Sequence, residues 1–474
     1  MIYDVVIVGA GIVGSSIAYR LSKYDMKLLV IEKNNNVADG VSMSNSAIVH
    51  AGEDPKDGTL KAKLNVRGSR MYKKLCEDLG AGYRETGAFV VMTDDSQEPL
   101  FDDLVRKARE REIPYEVLSA EEARKQEPEL SASVIRALSL PTTAVVTPWE
   151  VALKELQVAY LNGTEVKLKT ELKAVREEGD TFILDTTSGE IRTHYVINAA
   201  GLYSDRVAAM IGECRYTITP RRGEYFVLSH EAKDYVHHII YPMPTSKGKG
   251  ILAVPTVHEN ILLGPNAEEI GNRHGVNTTE EGLYFVRNEL YTTLRDVPFG
   301  RTIRTFAGVR PSIKEGDFVI EKDKDHERFL NLIGIDSPGV ASAPAIAEYV
   351  EEMLDLPYPV KEKYETRNPF RSRFSEMSPE EKDAYIKDHP EYGKIVCRCE
   401  KISEGEIIDA IKEPLGPRTI KAVKKRLRPG MGKCQGGFCQ PLVMDILIKT
   451  LGIKPEEVLY DEPGSNIIFR EAEQ

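Results

Sequence analysis

Six residues near the start, Gly9-Ala10-Gly11-Ile12-Val13-Gly14, constrain the fold of this 474-residue chain more than any other feature. Ahead of them, Tyr3-Asp4-Val5-Val6-Ile7-Val8 is a short β-branched run without polar alternation, as expected of a central parallel strand buried on both faces. Behind them a helical pattern runs to about Tyr24, and Lys27-Leu28-Leu29-Val30-Ile31-Glu32 reads as a second strand. The first glycine permits a tight turn, the second lets the backbone approach a pyrophosphate, and the third lets the helix pack close to the strand. The helix N-terminus then faces the phosphates with its N–H groups and positive dipole end. Glu32, 18 residues beyond Gly14, is placed to accept hydrogen bonds from a ribose. A GxGxxG alone is weak, because glycine-rich turns are common; strand, helix, second strand and terminal acid together make it a βαβ unit.

The rest of the chain organises around this unit. Residues 60–80 carry a helical pattern, and from 85 to 140 short strands alternate with charged helical stretches such as Phe101 to Glu112, which reads as an insertion. Tyr195-Val196-Ile197-Asn198-Ala199-Ala200-Gly201 is another buried strand ending in glycine. Residues 216–312 are rich in short β-like runs broken by Pro and Gly, the pattern of an antiparallel substrate domain. Phe329 to Gly334 is a last buried strand, and Ser337-Pro338-Gly339 opens a helix through about Leu354. The fold class is therefore α/β: a discontinuous Rossmann-like domain from 1–90, 145–215 and 313–356, with the substrate domain from 91–144 and 216–312. Residues 357–393, with prolines, many charges and few aliphatics, read as a linker, and 394–474 as a small helical domain with its tail. That domain has the capping-box pattern Ser403-Glu404-Gly405-Glu406 and a basic helix near 419–427.

The net charge of −11 argues against nucleic acid as a partner, because phosphate binding relies on a dominant basic face. No stretch approaches the ~18 consecutive apolar residues of a membrane helix. Six cysteines in so long a chain form no disulfide framework, and four crowd between Cys397 and Cys439, which suggests a reducing, cytoplasmic setting. Membrane attachment through a partner subunit stays open.

Those four follow the pattern Cys-x-Cys, 34 residues, Cys-x4-Cys: Cys397, Cys399, Cys434 and Cys439. Four thiolates so spaced can close around Zn²⁺ or a [2Fe-2S] cluster, and spacing leaves both open. Gly430, Gly432, Gly436 and Gly437 would let backbone N–H groups approach the sulfurs. Cys76 and Cys214 lie outside the set and read as ordinary core or surface residues. His237 and His238, adjacent on a strand, would point opposite ways and read as non-ligands.

Further stretches carry a family resemblance. Asn45-Ser46-Ala47-Ile48-Val49-His50-Ala51-Gly52, Gly58-Thr59-Leu60-Lys61-Ala62, Val196 to Gly201, Phe306-Ala307-Gly308-Val309-Arg310-Pro311 and Ser337-Pro338-Gly339-Val340 resemble the D-amino-acid-oxidase-like superfamily of FAD enzymes, which includes glycerol-3-phosphate and L-2-hydroxyglutarate dehydrogenases. The resemblance spans about residues 1–355. It implies FAD as cofactor, with His50 and the Gly339 helix start flanking the isoalloxazine ring. The expected cofactor-binding set is Gly9, Gly11, Gly14, Glu32, Lys33, Ser44, Asn45, Ser46, Val175, Ala200, Gly201, Gly339 and Val340. Residues Ile395 to Ile448 resemble the bacterioferritin-associated-ferredoxin-like [2Fe-2S] domain, in the version fused to the large subunit of anaerobic glycerol-3-phosphate dehydrogenases.

An enzyme of this kind oxidises a C–H bond next to a hydroxyl or amine by hydride transfer while a base takes the heteroatom's proton. A one-electron cluster beside a two-electron flavin favours a dehydrogenase that unloads singly to a partner, an electron-accepting flavoprotein or iron-sulfur subunit. His50 is the candidate base, with simple hydrogen bonding to flavin or backbone as the other reading. Arg310 is the candidate anion anchor, since a guanidinium grips a carboxylate or phosphate in bidentate fashion. Arg222 and Tyr241 are weaker substrate-binding candidates. The expected small-molecule hydroxy substrate is sn-glycerol 3-phosphate, with L-2-hydroxyglutarate or a related 2-hydroxy acid as alternative. The alternatives of another class are a flavin and iron-sulfur electron-transfer subunit without its own substrate, and a zinc-stabilised docking module.

Overall fold

In the computed structural model the apolar run at the start is β1 (Ile2–Val8), the middle strand of a mixed eight-stranded sheet. β1 pairs in parallel with β2 (Leu28–Ile31) and with the Gly189–Asn198 strand. Glu165–Lys167 and Phe329–Ile333 extend this parallel core on either side, and antiparallel strands Leu172–Glu178, Thr181–Thr186 and Val319–Lys322 complete the sheet. Every residue of β2 and of Phe329–Ile333 is buried, as a parallel strand covered on both faces requires.

Between β1 and β2 runs helix α1 (Ile12–Leu21), which ends three residues before the expected Tyr24. It packs against the helices Pro148–Leu161 and Gly339–Leu354, and the latter packs against Leu60–Leu79. The last crossing is tight at Gly68, where a Cβ would lie 2.2 Å from the Ala341 carbonyl oxygen.

A second sheet has nine strands. Its longest ladder joins Thr219–Leu228 to Thr302–Ser312, antiparallel. From Thr219–Leu228 the sheet continues through Ile261–Gly264, Leu252–Pro255 and Ile239–Pro242 to Ala88–Met92, Arg136–Leu140 and Glu116–Ser119. Residues 88–140 are thus one wing of this sheet, bonded through a parallel pairing of Ala88–Met92 with Ile239–Pro242. A small three-stranded sheet of Ile48–Val49, Tyr83–Glu85 and Ala144–Val146 carries the segment that leads to His50.

The structure describes residues 1–244, 250–370 and 374–469. They divide into two units, one of residues 1–33 and 37–367, the other of 34–36 and those from Asn368 onward. The expected linker divides with them: 357–367 belong to the first unit, and 368–393 to the second, where Pro379–Asp388 is a helix with its own Ser378/Glu381 capping box. The second unit's core gathers Val396, Ile407, Ile411, Val423, Val443 and Leu447 from a short hairpin and the helices Glu404–Lys412, Ile420–Leu427 and Gln440–Leu451. The Ser403/Glu406 capping box is present, each partner bonding the other's backbone. Among the described residues no helix is long and apolar enough to cross a membrane.

Candidate active site and cluster site

Two glycines of the opening turn are required by the protein's own packing. Gly9 sits at φ +108°, where a Cβ would meet the Ala199 carbonyl oxygen at 2.6 Å, and a Cβ on Gly14 would meet the Gly9 carbonyl oxygen at 2.0 Å. Gly11 is different: a Cβ there would meet only Ser42 Oγ, at 3.3 Å. The room above Gly11, at a helix start that has no side-chain cap from its own N-cap residue, fits a pyrophosphate. Ser42 Oγ accepts the Ile12 N–H at 2.9 Å and joins the Ser42–Ser46 segment to this turn. Glu32, buried at the end of β2, accepts the Ala10 N–H at 2.9 Å, so its carboxylate lies beside the turn where a ribose is to be held.

The other expected cofactor residues divide between surface and core. Ala200 and Gly201 follow the Gly189–Asn198 strand, held by the Asn198 amide, which donates to Asn331 Oδ1 at 2.8 Å and to the Ser204 carbonyl at 2.7 Å. Lys33 Nζ stands 3.5 Å from the Tyr203 ring centroid. Val175 packs in the core with Val6, Val8 and Phe182. Asn45 donates to the Val41 and Ser42 carbonyls and accepts the Ala47 N–H, so its side chain shapes the loop. Gly339 and Val340 begin the last helix of the unit; the Val340 carbonyl accepts the Tyr72 hydroxyl, and nearby Asp336 is paired with Lys61 at 2.6 Å and Ser312 at 2.8 Å.

The long antiparallel ladder builds a second surface. Its register sets Arg221 opposite Arg310, Gly223 opposite Gly308 and Tyr225 opposite Phe306, and directly opposed residues share one face of a sheet. Tyr225 and Phe306 stack with centroids 4.5 Å apart and planes at 4°. The Ser44–His50 segment is strung along the second sheet at three points. A Cβ on Gly308 would lie 1.9 Å from the Ser44 carbonyl oxygen; Ser46 Oγ is 3.2 Å from Tyr225 Oη; His50 Nδ1 is 3.0 Å from Tyr241 Oη.

His50 and Tyr241 are both buried, and the His50 carbonyl accepts the Asn65 amide at 2.7 Å. Burial, with the Glu53 and Asp54 carboxylates adding, pushes the Tyr241 phenol well above its ordinary range, so it stays neutral. Arg310 passes over Gly223, where a Cβ would meet its Nη2 at 2.7 Å, and donates to the Asn266 carbonyl at 3.3 and 3.4 Å. Among the described residues it has no carboxylate partner.

Arg222 lies on the opposite face, paired with Glu268 at 2.6 Å and Glu224 at 3.2 Å, and it donates to the Asn277 carbonyl. Its guanidinium is a brace within the sheet. Arg221 and Tyr225, which sequence reasoning passed over, enter the site only through the ladder register. His238, read as a non-ligand, donates through its backbone to the buried Glu127 and stacks on Phe89.

In the second unit Cys397 and Cys439 are buried, Cys434 is half-buried and Cys399 exposed. Cys399 Sγ and Cys434 Sγ lie 4.0 Å apart. A Cβ on Gly432 would fall 2.3 Å from Cys399 Cβ, so the two cysteine loops meet at a glycine. The Gly436 N–H foremost, with those of Phe438 and Gly437, holds the Cys434 thiol below its ordinary range, while burial with the Cys397 thiol pushes Cys439 up to about 12. Among the described residues no three or more His, Cys, Asp or Glu side chains converge on a point suited to one ion. Four thiols with N–H groups aimed at sulfur are the donor chemistry of a cluster carrying two thiolates on each iron. Cys76 is buried, and burial pushes its thiol far up, as expected of an inert core residue.

Residues 4–353 match the model of the FAD dependent oxidoreductase family, and 395–449 that of the BFD-like [2Fe-2S] binding domain. The chain is 39% identical over 470 residues to a glycerol 3-phosphate dehydrogenase of Caloramator mitchellensis, covering 98% of each. It is 32% identical over 292 residues to the mitochondrial L-2-hydroxyglutarate dehydrogenase of Homo sapiens, covering 58% of this chain and 62% of that one. The structure of a dithionite-reduced L-α-glycerophosphate oxidase from Mycoplasma pneumoniae with FAD bound superposes at a TM-score of 0.74 and 25% identity, covering 77% of this chain and 98% of that one.

Proposed function

The chain belongs to the FAD dependent oxidoreductase family and carries a [2Fe-2S] domain, and from this we propose that it oxidises sn-glycerol 3-phosphate to dihydroxyacetone phosphate and sends the electrons out through the cluster. FAD bound at the glycine turn supplies the hydride acceptor, and the cluster held by Cys397, Cys399, Cys434 and Cys439 supplies a one-electron exit.

The observation that carries the substrate is the pair Arg221 and Arg310, opposed on one face of the ladder. Two guanidiniums directly across a ladder set two positive charges on one face, and a phosphate dianion matches both at a single group. Arg310 grips the phosphate, with Arg221 beside it. His50 takes the proton of the reacting hydroxyl, and Tyr241 holds the imidazole through Nδ1. Arg222 is assigned to structure. Ser44, Asn45 and Ser46 form the cofactor-side wall, with Lys33, Val175, Ala200, Gly201, Gly339 and Val340 completing the cofactor's surroundings. Electrons pass to a separate protein, an electron-accepting flavoprotein or iron-sulfur subunit. The cysteines, none in a disulfide among the described residues, fit a reducing, cytoplasmic compartment.

Anaerobic titration of the oxidised enzyme tests this. Glycerol 3-phosphate bleaches the flavin band and L-2-hydroxyglutarate does not. Bleaching by the hydroxy acid alone transfers the assignment to it; bleaching by neither in a fully loaded enzyme leaves an electron-transfer subunit without its own substrate.

A further inference from the structure

Phe438 stands between the ligand residues Cys434 and Cys439 and is 83% exposed, more than any other aromatic side chain among the described residues. Leu442, one helical turn further on, is 46% exposed. Apolar side chains kept in water and rimmed by charge mark contact surfaces, and aromatic residues dominate the binding energy at such centres. Arg398 and Lys433, each next to a cluster cysteine, are exposed, as are Asp445 and Lys449, which follow Leu442 on the same helix. Residues 395–449 hold eleven Lys and Arg against six Asp and Glu, in a chain whose overall balance is −11. Exposed cations there are Arg398, Lys401, Lys412, Arg418, Lys433 and Lys449, whereas Asp409 and Asp445 are the exposed carboxylates.

We propose that the Phe438–Leu442 face is where the cluster hands electrons to a small acidic redox protein, with Phe438 and Leu442 at the apolar centre and Arg398 and Lys433 on the rim. This rests on the reading above that electrons leave through the cluster. The cationic rim steers an acidic carrier inward, and the carboxylates of the rest of the chain repel it elsewhere. Each encounter oxidises the reduced cluster by one electron and reduces one carrier, so each substrate molecule, which gives up two electrons, requires two encounters.

The test uses the loaded full-length enzyme and dye-labelled flavodoxin as the acidic carrier, with binding read by fluorescence anisotropy and cytochrome c as the basic comparison. Flavodoxin is expected to bind with a Kd that rises steeply with ionic strength, and Phe438→Ser and Leu442→Ser each to weaken it roughly tenfold. Leu442→Ser should keep wild-type dye-linked oxidation of glycerol 3-phosphate and a wild-type cluster EPR signal. Flavodoxin binding unchanged by both substitutions and by salt, tighter binding of cytochrome c, or no binding of flavodoxin overturns the proposal. A wild-type enzyme whose cluster stays oxidised after glycerol 3-phosphate overturns the functional reading, and with it transfer at this face, whatever the anisotropy shows.

Discussion

Arg310 and Arg221 share a face of the ladder, and Arg310 crosses Gly223 to the Asn266 carbonyl, which places the larger effect on its loss. Arg310→Ala should lower kcat/KM for glycerol 3-phosphate by roughly 10²–10³, while Arg310→Lys, which keeps the charge but loses the fork, recovers only part. Arg221→Ala should cost less, and Arg222→Ala should act through thermal stability. His50→Gln should lower kcat by about 10²–10⁴ with KM and flavin content little changed, and Tyr241→Phe should lower kcat by a smaller factor, as loss of a positioning hydrogen bond does. Steady-state kinetics on flavin-loaded protein checks all of these. Glu155 makes a separate prediction. It is wholly buried on the Pro148–Leu161 helix, accepts Ser16 Oγ at 2.9 and 2.8 Å, and burial pushes its carboxyl up to about 8. Below about pH 4.5 folded and unfolded chains both hold this proton. Between there and pH 8 only the folded chain does, so stability falls with rising pH by at most about 1.4 kcal/mol per unit. Glu155→Gln should flatten that slope in denaturant melts at a series of pH values.

At the scale of elements, two close approaches hold the first unit together. Gly308 lets the long ladder meet the Ser44 carbonyl, so Gly308→Ala should displace the cofactor-side wall and yield protein with little flavin, measured by absorbance after purification. Gly68→Ala, pressed against the Ala341 carbonyl, should lower Tm without selecting against FAD. The opening βαβ unit, the last helix from Gly339, the Ser403 capping box and the basic helix were legible because each depends on residues close in sequence. The ladder was not: Arg221 meets Arg310 only through a register between strands some ninety residues apart, and nothing in either segment states that pairing. Residues 85–140 read as an insertion, with 91–144 grouped beside 216–312; the strand order that joins the two segments in one sheet, through Ala88–Met92 on Ile239–Pro242, was not legible, for the same reason. The helix Pro379–Asp388 inside the expected linker did leave a signal, since Ser378-x-x-Glu381 is a capping box that the surrounding prolines and charges masked.

For the molecule as a whole, the proposed function divides the work between a unit that binds FAD and substrate and a unit that binds the cluster. Cys399→Ser with Cys434→Ser should purify with flavin but without the two irons and two sulfides per chain, and should still bleach with glycerol 3-phosphate. Zinc in place of iron in the wild-type protein would instead make the second unit a docking module. Substrate electrons are proposed to leave through the cluster, and EPR of the wild-type enzyme frozen after anaerobic mixing with glycerol 3-phosphate tests this. The expected result is the signal of a reduced [2Fe-2S] cluster, absent from the double cysteine variant. A bleached flavin beside a loaded cluster that stays oxidised would contradict it.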